Sequence, residues 1–321
     1  MRFVAPTPTP KGFARRTPPA VFPPILGLLG LAVAWRRAAG PIEAAAPLAD
    51  LIAGGSIFVF AVILVAYGAK ITRRISVLAD DMTVLPGRLG LSALCGSLYL
   101  TATLTGAWHP SVAVAIFYLG LAIHVLIIGL ILRQLLTAPP EARRYSPAGQ
   151  LYFTSPIVGA LAAASLGLHP LAQLLFYLFA ATGLMIGVWG VLDLVRRPMP
   201  APLRPLLALH LAAVSVSGST AKILGHDQIA FGAAILAALV LALLLPALRA
   251  TVQSGFSALW AAVTFPSAAT ASLWLLVGAG WTVPGLLLLA AATGINLAIA
   301  YRIGRLWLGG QLAVKTNAAI A

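Results

Sequence analysis

The sequence is dominated by ten long apolar runs separated by short, charged connections. These runs cover residues 21–35, 48–69, 89–106, 111–132, 151–168, 171–195, 205–224, 228–248, 256–279 and 283–301. A helix needs about 20 apolar residues to cross a bilayer, and every run after the first has at least 18. Hydrophobic residues make up 60% of the chain and charged residues 9%, whereas soluble proteins average about 45–50% and about 25%. The sequence therefore predicts an all-α integral membrane protein with ten transmembrane helices and excludes a soluble globular domain.

The basic residues divide unequally between the two sides of this predicted helix array. Only Arg36, Arg37 and Lys222 fall on one side, and the other 18 of the 21 lysines and arginines lie in the termini and the alternate connections. Such an excess marks the cytoplasmic side. We therefore expect a multi-pass inner (plasma) membrane protein with both termini in the cytoplasm. Residues 1–20 would form an N-terminal tail, 21–304 the transmembrane domain and 305–321 a C-terminal tail.

Several function classes are disfavoured by the composition. The net charge of +14 would suggest nucleic acid as a partner, but the basic residues are dispersed between apolar runs, so no nucleic acid is expected. The single cysteine, Cys95, excludes an internal disulfide and a cysteine-based metal cluster. Zinc-protease HExxH, nucleophile-elbow GxSxG and CxxC motifs are absent from the sequence. We expect no metal, no cofactor and no enzymatic activity.

The runs pair into repeats of similar length. Pro110 and Pro170 mark tight connections 60 residues apart, and Pro284 follows after 114, or two units of 57. This spacing predicts five tandem helical hairpins. The first helices of several hairpins open on prolines, as in Phe22-Pro23-Pro24 and Thr154-Ser155-Pro156, and such broken helices commonly surround a central path. The second helices are longer and richer in Leu, Ile and Phe. We therefore place the odd helices inside, around a pore, and the even helices outside against lipid.

The ninth run carries the sequence Thr264-Phe265-Pro266 near its centre. A proline there removes one backbone hydrogen bond and kinks the helix, and a bilayer tolerates such a break only against protein or a water-filled cavity. Small residues follow directly, beginning with Ser267. The pattern fits an aromatic plug beside a narrow path, and it also fits a packed phenylalanine next to an ordinary membrane proline.

The segment WAAVTFP at 260–266 resembles the tellurite-resistance/dicarboxylate transporter family, which includes bacterial tellurite-resistance channels, yeast malate permeases and plant slow anion channels. Residues 22–35 (FPPILGLLGLAVAW) are similar to the family's first helix, and Asp80, Asp81 and Pro86-Gly87-Arg88 to the approach to its third. The resemblance implies five hairpins around a pore, a homotrimer with one pore per subunit, and Phe265 as the residue that occludes the pore from the ninth helix. The third and seventh runs depart from the pattern because they lack a central proline.

The candidate pore-lining residues are small or kink-forming residues of the odd runs. They are Pro24, Gly27, Gly96, Ser97, Pro156, Gly159, Ser215, Gly218, Pro266 and Ser267. Hydroxyl dipoles can line an anion path without binding the ion tightly, as conduction requires. Lys222, at the end of the seventh run, would draw anions to the outer mouth, or it would be a snorkelling lysine paired with Asp227.

The ionisable residues favour passive transport. All seven acids (Glu43, Asp50, Asp80, Asp81, Glu141, Asp193 and Asp227) fall in connections or near the ends of runs, whereas a coupled carrier usually holds a carboxylate inside the membrane. His124 lies within a run, and a neutral histidine bonded to a neighbouring helix is favoured over a proton relay. We therefore expect an anion channel or uniporter that passes small inorganic or organic anions and is gated by Phe265. The alternatives are a C4-dicarboxylate secondary transporter or a tellurite-resistance exporter in the same family, and, with less support, a non-transporting membrane scaffold.

Overall fold

The computed structural model describes residues 14–138, 146–197, 199–253 and 255–321, and in these ranges the chain is helical without β-strands. The α-helices are α1 (Phe22–Ala38), α2 (Ala45–Arg73), α3 (Val77–Thr83), α4 (Leu85–Thr105), α5 (Pro110–Thr137), α6 (Pro156–Ser165), α7 (His169–Arg196), α8 (Ala208–Ile223), α9 (Asp227–Gln253), α10 (Thr264–Val277), α11 (Thr282–Leu308) and α12 (Gln311–Lys315). The predicted all-α class is confirmed. Residues 1–13 of the predicted N-terminal tail, and Glu141, Arg143 and Arg144, lie outside the described residues.

Four of the helices that begin hairpins are preceded by a short turn of another helical type. Turns of 3-10 helix lead into α1 at Pro19–Val21, into α8 at Ala201–Leu207 and into α10 at Ala258–Val263. A π-helical turn at Gln150–Thr154 leads into α6. Each such turn lies beside a proline, which cannot donate a backbone hydrogen bond and therefore disturbs regular α-helix.

Eight segments of the described chain are long and apolar enough to cross a membrane. Pro19–Ala38, Ala201–Ile223 and Ala258–Val277 are 67–78% buried inside the protein, whereas Ala45–Arg73, Pro110–Thr137, His169–Arg196, Asp227–Pro246 and Ala279–Leu308 are only 17–28% buried. An apolar helix surface that protein does not cover is suited to lipid. This division agrees with the predicted alternation of inner and outer helices.

Two of the ten predicted spans fall outside this set. The 21-residue α4 contains several glycine, serine and threonine residues and the charged Arg88, and the ten-residue α6 follows its five-residue π-helical turn. Most residues of both helices are buried against protein. A helix surrounded by protein needs no continuous apolar surface, so length and hydropathy alone identify eight spans where the sequence pattern predicts ten.

The helices α1, α4, α6, α8 and α10 form a closed ring, which we call the inner ring. Each contacts the next, and α10 contacts α1. Each inner helix also packs against the helix that follows it across a short connection, which gives the pairs α1–α2, α4–α5, α6–α7, α8–α9 and α10–α11. Helices joined this way are antiparallel neighbours. Residues at or just before the starts of α1, α4, α6 and α10 line one small void, and the turn leading into α8 contacts the turn leading into α10. The inner helices therefore begin at a common end of the ring.

The two ends of the described chain meet at this end of the inner ring. A buried ion pair joins Lys70 Nζ to Asp81 Oδ2 at 2.9 Å, with both side chains fully buried. The Tyr67 hydroxyl donates to the same carboxylate at 3.0 Å, the Ala319 amide donates to its second oxygen at 2.8 Å, and Lys70 also donates to the Thr17 carbonyl at 3.1 Å. The stretch predicted as a C-terminal tail thus continues α11, forms α12 and packs against α3.

Candidate functional site

A cavity of about 40 Å³ lies on the axis of the inner ring. Every inner helix or its leading turn contributes to the lining, which consists of Pro23, Leu26, Gly96, Gln150, Leu151, Thr154, Ser155, Ile157, Val158, Leu209, Ala212, Ala213, Val216, Ala261, Ala262, Phe265 and Pro266. A second void of about 20 Å³ adjoins it on the side where the inner helices begin and shares four lining residues with it. At about 10–15 Å³ per water molecule, the central cavity has room for only a few.

The Phe265 ring packs against Gly30 of α1 beside this cavity. Phe265 is 6% exposed, and a Cβ atom at position 30 would lie 2.7 Å from ring atom Cδ2 and 3.0 Å from Cε2. Gly30 follows the cavity-lining Leu26 by four residues, which is about one helical turn. The Phe265 ring therefore contacts α1 about one turn further along the helix than Leu26. Glycine within a helix costs about 1 kcal/mol relative to alanine, and here its missing side chain makes room for the ring. We call Gly30 the ring seat.

Pro266 lies in the first turn of α10 and not at the centre of a kinked α-helix, which corrects the sequence-based expectation. The 3-10 turn ends at Val263 and regular α-helix begins at Thr264. First-turn N–H groups have no intrahelical partner, so a proline there loses no α-helical hydrogen bond. The Thr264 hydroxyl donates to the Ala261 carbonyl at 2.6 Å, and Asn296 Nδ2 donates to the Thr264 carbonyl at 3.1 Å. The hydrogen bond from Asn296 of α11 thus stabilises the change from 3-10 helix to α-helix at Thr264.

The polar side chains of the cavity lining all lie between residues 150 and 155. Gln150 Nε2 donates to the Gly183 carbonyl at 3.0 Å and to His210 Nδ1 at 2.9 Å, and Thr154 donates to Gln150 Oε1 at 2.9 Å. A π-helical turn often marks a functional site. Sequence reasoning singled out neither Gln150 nor His210, although a histidine within the apolar run 205–224 was a visible signal.

His124 is bonded through both ring nitrogens. Nδ1 lies 3.1 Å from the Tyr99 hydroxyl and Nε2 lies 2.9 Å from Ser155 Oγ. The three side chains belong to α4, α5 and the start of α6, so they connect two inner helices through an outer one. This is the bonded histidine that the sequence pattern favoured.

The structure brings Gly96, Phe265 and Pro266 of the predicted pore candidates to the cavity lining. The others lie in helix contacts away from it: Pro24, Gly27, Ser97, Pro156, Gly159, Ser215, Gly218 and Ser267. Ser97 donates to the Ala93 carbonyl at 2.8 Å, and Ser215 lies 2.8 Å from the Thr270 hydroxyl. A Cβ at Gly27 would overlap Thr264 and Asn296. Their role in lining a pore stays a prediction.

Lys222 forms an ion pair with Asp227, with Nζ 2.6 Å from Oδ1. Both side chains remain partly or largely exposed. Of the two arrangements considered for Lys222, the structure has the one in which the lysine pairs with Asp227. Within the described ranges, no group of three or more His, Cys, Asp or Glu side chains could hold a metal ion.

Comparison with known proteins agrees with this architecture. A search of curated proteins found no match to the chain. The model of the voltage-dependent anion channel family, SLAC1, matches residues 16–303, a span that includes all five inner helices and the Phe265 segment. This match confirms the resemblance to the tellurite-resistance/dicarboxylate transporter family. The chain therefore belongs to the SLAC1 family of voltage-dependent anion channels.

Proposed function

We propose that this protein is a passive anion channel or uniporter in which the Phe265 ring closes a pore along the axis of the inner ring. The observation that carries the proposal is the ring seat: a phenylalanine that lines the central cavity rests in a gap made by Gly30. We infer that displacing this ring would open the cavity on the α1 side, where Gly30 lies. Family membership supports anion passage in general, and the Phe265 gate is our own assignment.

Passive movement is supported by the chemistry of the lining. Within the described part of the chain, the residues that line the two voids carry no ionisable side chain. Conduction requires sites that are weak enough for the ion to leave, and a path of apolar groups with a few hydroxyl and amide groups meets that need. We therefore favour a channel over a coupled C4-dicarboxylate transporter or a tellurite-resistance exporter.

We further propose that ten helices span the inner (plasma) membrane, with α4 and the segment 150–165 added to the eight apolar spans. The hairpin contacts of these two segments with α5 and α7 support this count. Both termini would be cytoplasmic, in accord with the 18 basic residues on that side and with the Ala321 amide lying 3.2 Å from the Arg15 carbonyl. The outer helices expose apolar side chains to lipid. A homotrimer is proposed from the family resemblance.

The test is the Phe265→Ala variant, purified and recorded in a planar bilayer. Removing the ring should raise anion conductance severalfold while the protein still assembles. Phe22→Ala is the matched control, because Phe22 is fully buried but packs on Phe60 and Tyr67 away from the cavity. That change should cost about 3–5 kcal/mol of stability without raising the current. A Phe265→Ala protein that is destabilised to the same extent and passes no more current than wild type would contradict the gate.

A further inference from the structure

The hydrogen-bond donors around the central cavity are not equally available to a guest. Gln150 and Thr154 line the cavity, yet both use their donors within the protein. Thr154 donates its hydroxyl hydrogen to Gln150 Oε1, and the two amide hydrogens of Gln150 go to the Gly183 carbonyl and to His210 Nδ1. An amide nitrogen has no lone pair to accept with, so these directions are fixed. Neither side chain has a hydrogen left for an anion.

Ser155 differs because of the chain of groups behind it. In the described part of the chain, the hydroxyl hydrogen of Tyr99 has one acceptor in reach, His124 Nδ1 at 3.1 Å. His124 is 1% exposed, and it has no carboxylate among its hydrogen-bond partners. Burying an unpaired charge is costly, so the ring is neutral and carries a single hydrogen. Tyr99 is fully buried, whereas Ser155 lines a cavity with room for water, so Tyr99 is the hydroxyl that must donate to Nδ1. The His124 hydrogen is then on Nε2 and points to Ser155 Oγ, 2.9 Å away.

Ser155 therefore accepts from His124 and keeps its own hydroxyl hydrogen. Ser155 lines the cavity and is 4% exposed, and its only side-chain hydrogen bond in the described residues is the one to His124. Ser155 links the π-helical turn at Gln150–Thr154 to α6. Phe265 lines the same cavity. A hydrogen-bond donor thus faces the space directly before the proposed gate.

We propose that the Ser155 hydroxyl is the anion-coordinating group of the central cavity, held as a donor by the Tyr99–His124 pair. Its ligand is a small monovalent anion of the halide or nitrate class, because one donor in a small apolar cavity neither fits nor neutralises a dicarboxylate. This inference rests on the proposed function and deepens it. A hydrogen bond to a charged group contributes about 1.5–3 kcal/mol, so its loss should weaken anion binding about tenfold or more.

The first measurement is binding, which does not depend on current. Chloride is titrated against gluconate at constant ionic strength, and the thermal unfolding midpoint of purified wild type should rise with chloride as the bound anion stabilises the fold. Ser155→Ala should shift the half-effective chloride concentration about tenfold upward, and Ser155→Thr should restore it by keeping the hydroxyl. The matched control is Ser165→Ala, a serine at the other end of α6 whose hydroxyl donates to the Leu161 carbonyl within its own helix, and it should behave as wild type.

Tyr99→Phe tests the orientation of the hydroxyl and not its presence. Without the phenol, His124 can place its hydrogen on Nδ1 and accept from Ser155, so the serine hydrogen turns away from the cavity. The variant should therefore weaken chloride binding although Ser155 is intact. A half-effective concentration equal to that of wild type in both Ser155→Ala and Tyr99→Phe would overturn the proposal.

The second measurement separates this site from the channel assignment. Chloride conductance is recorded against chloride concentration in the Phe265→Ala background, where the half-saturating concentration should rise about tenfold with Ser155→Ala and stay unchanged with Ser165→Ala. Lost chloride binding in Ser155→Ala together with no anion current in Phe265→Ala would support the site and overturn the channel. A current whose half-saturating concentration ignores Ser155, with unchanged binding, would support the channel and overturn the site.

Discussion

At the scale of single residues, the gate that we propose consists of Phe265 of α10 and Gly30 of α1. The ring has no room to stay in place if the glycine gains a side chain, because the nearest ring atom lies 2.7 Å from where its Cβ would stand. Carbon atoms that are not bonded pack at about 3.5–4.0 Å. The glycine therefore sets the position of the ring as much as the phenylalanine does.

Gly30→Ala should displace the ring and raise the basal anion conductance above that of wild type. The same substitution should add nothing in the Phe265→Ala background, because no ring remains to be displaced. A double-mutant cycle of single-channel or macroscopic current measures this coupling. Gly54→Ala is the control, since a Cβ at that position meets no atom within 4 Å. Independent effects of Gly30→Ala and Phe265→Ala on the current would show that the two residues do not act together.

Sequence reasoning reached one member of this pair and missed the other. Phe265 stood out because it precedes a proline in an apolar run and matches a family motif. Gly30 is one of two glycines in α1, and its partner lies near the other end of the chain. Hydropathy and spacing do not say which face of α1 meets which residue of α10, so the seat required the packed helices. Asn296 of α11 was missed for the same reason, because its hydrogen bond to the Thr264 carbonyl of α10 exists only when the two helices are packed together.

At the scale of elements, α3 holds the end of the molecule where the two ends of the described chain meet. Asp81 of α3 pairs with Lys70 of α2 and accepts a hydrogen bond from the Ala319 amide. The pair is out of contact with solvent, so each charge depends on the other for its stabilisation. The neighbouring Asp80 also forms an ion pair, with Arg74 at 2.8 Å, but both of those side chains are 43–47% exposed.

Asp81→Asn should lower the free energy of unfolding by about 3–5 kcal/mol, because it leaves the Lys70 ammonium buried without a counter-charge. Asp80→Asn should cost less than about 1 kcal/mol, since exposed ion pairs contribute little. Thermal or denaturant unfolding in detergent, with the two variants side by side, measures the difference. Equal stability of the two variants would mean that the buried pair does not hold this end of the protein together.

The burial of the helices explains why the sequence pattern predicts ten spans whereas length and hydropathy alone identify eight. Outer helices are long and apolar, so hydropathy identifies them directly. The inner α4 and α6 are shielded by protein, and their composition is free to include small and polar residues that weaken the hydropathy signal. The irregular turns that lead into α6 and α10 depend on prolines that the sequence displays, but the exact residue where regular helix begins depends on bonds from other helices.

At the scale of the whole molecule, alternation was the feature most accessible from sequence. The repeat of proline-marked connections and the contrast between successive helices predicted an inner set and an outer set, and the burial of the described helices follows that pattern. The sequence pattern and the family resemblance predicted odd helices around a pore. Which inner helices contact one another, including the contact of α10 with α1, became known only from the packed structure. The central cavity and its polar side follow from that closure.

The central claim is that anions pass along the axis of this ring when Phe265 is removed. The most direct test is a recording of purified Phe265→Ala protein in a planar bilayer under a chloride gradient, with gluconate then replacing chloride on one side. We predict a current that reverses near the chloride equilibrium potential and shifts when chloride is replaced, with a severalfold smaller current in wild type. A current that follows the cation gradient, or no current above wild type in a well-folded Phe265→Ala protein, would contradict an anion path closed by Phe265.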